Sequence, residues 1–384
     1  MSTVRILHTA DLHLDTPFRS LSSEKAAVRR EELRELPGRI ARTAIIEKVD
    51  MLLLAGDILD SESFFRETGE ELFRVLRNLP LPVFIAPGNH DYYFPGSPYA
   101  RVDLPSNVYV FAKNTPEYFD FSEKGFRVYG AAFTDKTSAS LTEKLHADRK
   151  ENILNILCVH GEVVSGKDRM ETGRYNPMTA EQIAASGMDY IALGHIHKAS
   201  GLLRSGNVWY SWPGCPEGRG FDETGEKTVN IIALSNDGLR PDEMPKCEMH
   251  TVPVSSRRYE TLKVNITDKD PLLAVQMELP DDTISDIYKI ILCGETDSPI
   301  QVRKLQESLS EYFFELSVSD ETDLSRDIWE RAGDDSLRGM FLSKMRAQFD
   351  AASDGTDRLQ IEQAVRWGLA ALDNREEVVR HEDP

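Results

Sequence analysis

Five short motifs concentrate aspartate, asparagine and histidine in a way that points to divalent-cation chemistry. They are Asp11-Leu12-His13, Gly56-Asp57-Ile58-Leu59-Asp60, Gly88-Asn89-His90-Asp91, His160-Gly161 and Gly194-His195-Ile196-His197. Five of the nine histidines in the chain (13, 90, 160, 195 and 197) fall inside them. Carboxylate, amide and imidazole donors without cysteine suit Mn²⁺, Fe²⁺ or Zn²⁺ better than they suit a calcium cage. Two such cations roughly 3.5–4 Å apart can clamp a phosphoryl group and generate hydroxide at neutral pH, which takes about seven donors with one carboxylate shared. Each motif alone has a plainer explanation. Asp-x-His is common by chance, Gly-Asp-x-x-Asp is usually a turn with a helix cap, and a lone His160 reads as a core histidine. The five together, in this order, do not.

The elements that must position these residues are visible as apolar runs. Val4–Leu7, Met51–Ala55, Val83–Ala86, Ile156–Val159 and Tyr190–Leu193 each run directly into one motif, and Val229–Leu234 is a further run. They are continuous rather than alternating, as expected of strands covered on both faces. A helical stretch from Glu24 to Glu35, broken at Pro37 and resumed to about Lys48, separates the first two. This is a βαβ rhythm, and it predicts an α/β layered domain with a central, partly parallel sheet. Ligand sites in such sheets lie just beyond the carboxyl ends of the strands, so the five motifs should converge on one edge. Gly56, Gly88 and Gly194 would allow tight turns where the strands give out.

The texture changes after about residue 250. Leu262, Val264 and Ile266 alternate with polar residues, as in a half-buried strand. A helix over Pro271–Leu279, a strand at Ile287–Leu292, a helix around Val302–Tyr312 and a strand at Phe314–Val318 complete a β-α-β-α-β unit. Beyond about 323 only helix is expected, including one that starts after an N-cap at Asp357. The expected domains are therefore 1–250, 251–322 and 323–384.

Composition bounds the function. The 384 residues are 40% hydrophobic and 28% charged, which reads as a globular chain with ample core. No apolar run approaches the roughly 18 residues of a membrane span. The start, Met1-Ser2-Thr3-Val4, shows no secretory h-region, so a membrane protein or secreted precursor is not expected. Cys158, Cys215, Cys247 and Cys293 form no C-x-x-C pair, which argues against a disulfide framework and for a reducing cytoplasm. The formal charge of −19 is unlike a usual nucleic-acid binder. The excess is uneven, with 16 Lys+Arg against 28 Asp+Glu in residues 251–384, so −12 of the −19 lies there.

The motifs resemble the signature of the calcineurin-like metallophosphoesterases: D-x-H, G-D-x-x-D, G-N-H-D, a lone H, and G-H-x-H. Within that superfamily the opening Leu7-His8-Thr9-Ala10-Asp11-Leu12-His13-Leu14-Asp15 is most similar to the bacterial DNA-repair nuclease branch, the SbcD and YhaO type. So is Pro213-Gly214-Cys215-Pro216-Glu217-Gly218-Arg219-Gly220-Phe221-Asp222-Glu223. The resemblance covers residues 1–235 well and the β-α-β-α-β unit more loosely. It implies a layered metallophosphoesterase sandwich, with central β-sheets flanked by helices, a small α+β capping domain and a helical C-terminus. It implies that Asp11, His13 and His197 hold one metal, that Asn89, His160 and His195 hold the second, and that Asp57 bridges them. His90 would then face the phosphate, stabilise the transition state and serve the leaving oxygen. Asp60 or Asp91 would orient a histidine, and Arg219 would reach substrate. The implied activity is Mn²⁺-dependent DNA exonuclease, with single-strand endonuclease as an addition, in DNA repair. The implied partners are DNA, an SMC-like ATPase and a second copy of the chain. One position departs from the pattern: Cys215 stands where a small hydroxyl residue is expected. Two other readings stand beside this one: a phosphatase or small-molecule phosphodiesterase of the same fold, and a non-catalytic scaffold for an ATPase. Lys167, Arg169 and Arg174 could line a DNA groove or a solvated loop. Tyr92, Tyr93 and Phe94 could stack on an unpaired base or pack against the next loop.

Overall fold

A computed structural model of the chain describes residues 3–60, 66–142, 145–164, 175–235, 237–297 and 299–372. Two compact units divide at Arg258/Tyr259.

In the first unit, four short apolar segments pair in parallel: β1 (Thr3–Thr9), β2 (Met51–Leu54), β3 (Val83–Ile85) and β4 (Val108–Val110). On the other flank of β1, β13 (Thr228–Ser235) and β14 (Cys247–Pro253) add antiparallel, giving the order β14-β13-β1-β2-β3-β4. The last of these strands runs across residue 250. A second sheet has the order β11-β12-β10-β7-β6-β5. Its strands are β5 (Glu117–Phe121), β6 (Phe126–Gly130), β7 (Leu154–His160), β10 (Tyr190–Gly194), β11 (Leu203–Ser205) and β12 (Val208–Ser211). Strands β6, β7, β10 and β12 are parallel. A short parallel pair joins β8 (Glu162–Val163) to β9 (Pro177–Met178).

Strand alternation explains the unbroken apolar runs. Met51 and Leu53 share one cluster with Ile6, Phe84, Ile156, Cys158 and Tyr190, the interior between the two sheets. Leu52 and Leu54 instead join Leu7, Ile85 and Ile231 against helical residues such as Leu33, Leu36, Ile40 and Leu72. Those belong to the helices Ser23–Ile46 and Arg66–Arg77. The far face of the second sheet (Leu157, Val159, Ile191, Leu193) packs with Ile183 of the helix Ala180–Ala185. Both faces of both sheets are therefore covered, so the central strands are apolar along most of their length, and the polar residues within them, His8, Asn155 and Asn230, are buried and hydrogen-bonded.

The helix expected to break at Pro37 does not. It runs from Ser23 to Ile46 through Pro37. The missing proline N–H costs one backbone bond. Pro37 is buried beside Leu36 and Ile40, and Arg39 Nη1 donates 2.9 Å to the Glu32 carbonyl at the same turn. Packing thus outweighs the local penalty.

The second unit contains the parallel strands β15 (Tyr259–Asn265), β16 (Ile287–Cys293) and β17 (Glu315–Asp320). The helices Pro271–Glu278 and Val302–Leu309 connect them. Val264, Val275, Ile290, Leu305 and Leu316 meet in one core. Asp270 caps the first helix at Leu273 N–H, 3.0 Å, with Pro271 just inside it. The helices Leu337–Ala351 and Gly355–Leu372 follow, with Leu342, Val365 and Leu369 buried between them. The last begins before Asp357. Asp354 Oδ1 accepts the Asp357 N–H at 2.8 Å, so the capping oxygen lies three residues earlier than expected. Among the described residues no helix is long and apolar enough to cross a membrane.

Candidate metal centre

Parallel pairing brings the strand ends together: Thr9 faces Leu54, Leu54 faces Ile85, and His160 faces Gly194. Each chain then leaves its strand through a tight turn. Asp11, His13, Asp57 and His195 all take left-handed backbone (φ +55°, +43°, +52° and +92°), which is costly for residues with a side chain and gathers at functional sites. The turns are tied to each other. Asp11 N–H donates to the Gly56 carbonyl at 2.9 Å, and His13 N–H to the Asp57 carbonyl at 3.0 Å. The glycines serve two different needs. Gly56 sits at φ +90°, as a turn requires. Gly194 has no positive φ; a Cβ there would come 2.0 Å from the Ala55 carbonyl oxygen and 2.8 Å from His160 Nδ1. The same holds at Gly88, where a Cβ would meet Asp57 Oδ1, so close approach rather than turn geometry calls for glycine there.

The side chains converge as two overlapping donor groups. Asp11, His13 and His197 form one, and Asp11, Asp57 and His160 form the other. His13 Nε2 lies 3.3 Å from His197 Nε2 and 3.8 Å from Asp57 Oδ2. His197 Nε2 is 3.9 Å from Asp11 Oδ1. On the other side, His160 Nε2 is 3.2 Å from Asp57 Oδ2 and 3.0 Å from Asn89 Oδ1. The His195 ring stands 5.2 Å from the His160 ring and stacks on Tyr175 at 4.9 Å. Asp11, His13, Asp57 and His160 are buried.

His90 is different. Its side chain is 46% exposed, its ring lies edge-on to His13 at 4.8 Å, and its Nδ1 is 3.7 Å from Asp60. A third donor group, His13, Asp60 and His90, arises from this contact. Asp91, expected to orient a histidine, instead accepts backbone N–H bonds from Asp57, Ile58 and Gly88 (3.1, 2.8 and 2.7 Å) and the Tyr99 hydroxyl at 2.5 Å. It fixes the two turns that carry Asp57 and Asn89. Arg219 is folded back on the protein. Its guanidinium meets Glu223 at 2.5 Å and His197 Nδ1 at 2.9 Å. Lys167, Arg169 and Arg174 lie outside the described residues. Tyr92 and Phe94 rest against each other at 5.3 Å, with Phe94 exposed.

Burial and charge pull these groups apart. Burial pushes the Asp11 carboxyl up to about 6. Burial works the same way on Asp57, but the His160 ring beside it outweighs this and holds it well below the carboxylate range. His160 is correspondingly raised to about 9 against its own burial, chiefly by Asp57. Burial lowers His13 strongly and His195 to about 4, so both rings are neutral donors at pH 7. The Asp60 hydrogen bond raises His90.

These residues fit divalent cations. Two imidazoles point Nε2 at one another across 3.3 Å, so at most one of the two nitrogens carries a proton there and at least one offers a lone pair. Donor atoms 3.0–3.9 Å apart match neighbouring ligands around a cation whose bonds are roughly 2.0–2.2 Å long. The buried His13 Nδ1 has no hydrogen-bond partner among the described residues, so nothing there competes for the ring's orientation.

The calcineurin-like phosphoesterase family pattern matches residues 4–199, the stretch that holds every residue of these donor groups. The chain belongs to that family. It is therefore a phosphoester hydrolase by descent, with a mixed α/β metallophosphoesterase fold. Over its full length it is 26% identical to YhaO, a metallophosphoesterase of Bacillus subtilis, covering 93% of that protein. It is 23% identical to the DNA double-strand break repair protein Mre11 of Methanosarcina acetivorans over 80% of this chain, though only 48% of that protein is spanned. It is also 23% identical to the D component of the nuclease SbcCD of Escherichia coli, over 79% of this chain and 85% of that component.

Two supporting residues escape a motif-based reading. Glu223 belongs to no metal-ligand motif, yet its Oε1 lies 2.8 Å from His197 Nδ1. Asn176 donates 2.8 Å to the His160 carbonyl and accepts Leu141 N–H at 2.7 Å, with no local signal for either. His8 looks like a ligand by composition but is a core residue, bonded to the Tyr190 hydroxyl at 2.9 Å and the Leu193 carbonyl at 3.1 Å.

Proposed function

We propose that this protein is a two-cation phosphodiesterase that cleaves DNA in repair, as an exonuclease. Asp11, His13 and His197 would hold one cation, Asn89, His160 and His195 the other, with Asp57 shared; Mn²⁺ suits the N/O donor set. When bound, the cations would neutralise charge on the phosphoryl oxygens and make water a nucleophile at neutral pH. The remaining work falls to the chain. Asp57 keeps its charge because the imidazoles next to it favour that form. Asp91 fixes the turn that aims Asp57 by holding its N–H and that of Ile58. The His90 N–H groups stand at the exposed mouth, and Asp60 favours their charged form. A deoxyribose oxygen leaves poorly, so proton donation from the His90 imidazolium to it is worth roughly 10²–10⁴ in rate.

The observation that carries this reading is the convergence of five strand-end turns on one buried donor cluster with one exposed histidine beside it. The DNA substrate is supported by the likeness to a DNA double-strand break repair protein and to a nuclease component, and by the segment 213–223. The likeness to a nuclease component supports an SMC-like ATPase partner holding the duplex, which answers the chain's −19 charge. A homodimer belongs to the same reading. Four unpaired cysteines suit the cytoplasm.

The test is Mn²⁺-dependent digestion of end-labelled linear and circular DNA by wild type and His90→Ala, with cation content measured in both. Loss of cleavage in His90→Ala at unchanged cation content supports the reading. Hydrolysis of a small phosphodiester with no cleavage of DNA, with or without an ATPase partner, overturns the DNA assignment in favour of a small-ester hydrolase. A His90→Ala enzyme as fast as wild type removes His90 from the chemistry.

A further inference from the structure

We propose that Glu223 is a positioning residue for the metal centre: its carboxylate accepts the Nδ1–H of His197 and so keeps the Nε2 lone pair turned toward Asp11 and His13, while Arg219 serves Glu223 rather than substrate. This rests on the metal-centre reading above.

Two groups compete for His197 Nδ1. Glu223 Oε1 stands 2.8 Å away and Arg219 Nη2 2.9 Å away. If Arg219 donates to this nitrogen, the ring proton sits on Nε2. That proton would point into the space between His13 Nε2 at 3.3 Å and Asp11 Oδ1 at 3.9 Å, where a cation needs a lone pair. If Glu223 accepts, the proton sits on Nδ1 and Nε2 is free. Arg219 does not need the ring. It already gives its backbone N–H, Nε and Nη2 to Glu223, at 2.9, 3.2 and 2.5 Å. An imidazole tautomer is set by the partner of the other nitrogen.

The local fold is made for this contact. Glu223 N–H bonds the Gly220 carbonyl at 3.0 Å, a turn that brings the carboxylate back beneath Arg219. The turn is rooted one step earlier, where Glu217 is buried with Arg29 and Arg39 at 2.8 Å each. The opposite wall of the site solves the same problem with backbone. His160 Nδ1 faces the Ala55 carbonyl at 2.9 Å, which leaves its Nε2 toward Asp57 and Asn89. One wall is therefore set by a carbonyl that mutation cannot remove, and the other by a side chain that it can.

The tautomer can be read in the full-length chain without metal, from ¹⁵N shifts of labelled histidines, with His197 assigned by its loss in His197→Gln. The wild type should show the Nδ1–H form. Glu223→Gln should move His197 toward the Nε2–H form. It should also weaken Mn²⁺ at one of two sites by about 10–100-fold in calorimetric titration, with circular dichroism unchanged. Arg219→Gln should keep the Nδ1–H form. An Nε2–H tautomer in wild type overturns the proposal with no variant needed, so misfolding of Glu223→Gln cannot shelter it. Wild-type Mn²⁺ affinity in a folded Glu223→Gln protein overturns it as well. Neither readout uses DNA, so a failed nuclease assay leaves it standing. A wild type that binds no Mn²⁺ overturns the metal-centre reading and this proposal with it.

Discussion

Glu217→Gln should destabilise the first unit far more than its single lost charge suggests. Arg29 is fully buried. Its guanidinium is held by Glu217 Oε1 at 2.8 Å, the Gly218 carbonyl at 3.0 Å and Glu32 Oε2 at 2.6 Å. Glu217 is equally buried, and its second oxygen takes Arg39 Nη2 at 2.8 Å and Ser256 N–H at 2.9 Å. Removing one partner of a buried pair costs about 3–5 kcal/mol, because the other charge is stranded. Arg29 keeps Glu32, so the low end applies, about 3 kcal/mol. For a unit of this size each kcal/mol moves the melting point by about 2–4 °C, so the transition should fall by roughly 6–12 °C. Differential scanning calorimetry reads this directly. In an Arg29→Met background the charge that Glu217→Gln strands is gone, and the same substitution should cost about 1 kcal/mol or less. The exposed pair Glu71–Arg74, at 2.5 Å, is the control, and Glu71→Gln should leave the melting point where it was. A Glu217→Gln protein that melts within about 1 °C of wild type, or costs that are the same in both backgrounds, would refute the argument that this pair anchors the 213–223 segment.

Three further outcomes follow from single contacts. Burial holds His8 at about 3, against an ordinary value of 6.5. The unfolded chain therefore takes the proton first, and stability is full above pH 6.5 and falls as pH drops toward 3. At pH 5 the His8 contribution to the loss is about 2 kcal/mol at 1.36 kcal/mol per pH unit, so in urea melts the drop between pH 7.5 and 5 should be smaller by that amount in His8→Gln than in wild type. In Gly194→Ala the new Cβ must displace the Ala55 carbonyl that holds His160 Nδ1. It should cost about 1–3 kcal/mol in a denaturant titration and lower Mn²⁺ uptake; unchanged uptake would show that the close approach is not needed. Asp91→Asn offers one acceptor oxygen where the backbone N–H groups of Asp57, Ile58 and Gly88 now use two, so cleavage and stability should both drop while His90 stays in place.

The donors were legible in the sequence because each sits at the end of a strand with both faces covered, where a polar residue has no structural excuse. Met51 and Leu53 pack between the sheets while Leu52 and Leu54 face helices. A run of four apolar residues therefore announces the strand, and Asp57 announces where it stops. Parallel pairing then does the rest, since it puts successive strand ends on one edge. What holds those donors in place left no such trace. Arg29 and Glu217 are 188 residues apart, and His160 and the Ala55 carbonyl 105. No spacing rule connects them. Pro37 misled for the opposite reason: a proline is a strong local signal, and here burial beside Leu36 and Ile40 overrode it. Asp91 misled by proximity, since it follows His90 directly yet spends both oxygens on backbone and on Tyr99.

The same division between donors and supports explains why a partly buried cluster of two aspartates and four histidines can persist in a folded protein. Asp11 and Asp57 cannot both hold a full charge at low dielectric without compensation, and burial already drives Asp11 up to about 6. In the free protein the compensation is borrowed from His160, which is raised to about 9. A cation binding between these groups would release that proton and let both carboxylates ionise, so uptake must strengthen as pH rises up to about 9, where His160 gives up its proton unaided. The protein meets the cost of assembling this arrangement with rigid surroundings: left-handed turns at Asp11, His13, Asp57 and His195, costly for residues with a side chain, with Asp91 holding the Asp57 turn and Glu223 and Arg219 meeting the His197 ring. His90 stays outside that clamp, half exposed, where the proton transfer proposed for it would have access to the solvent side.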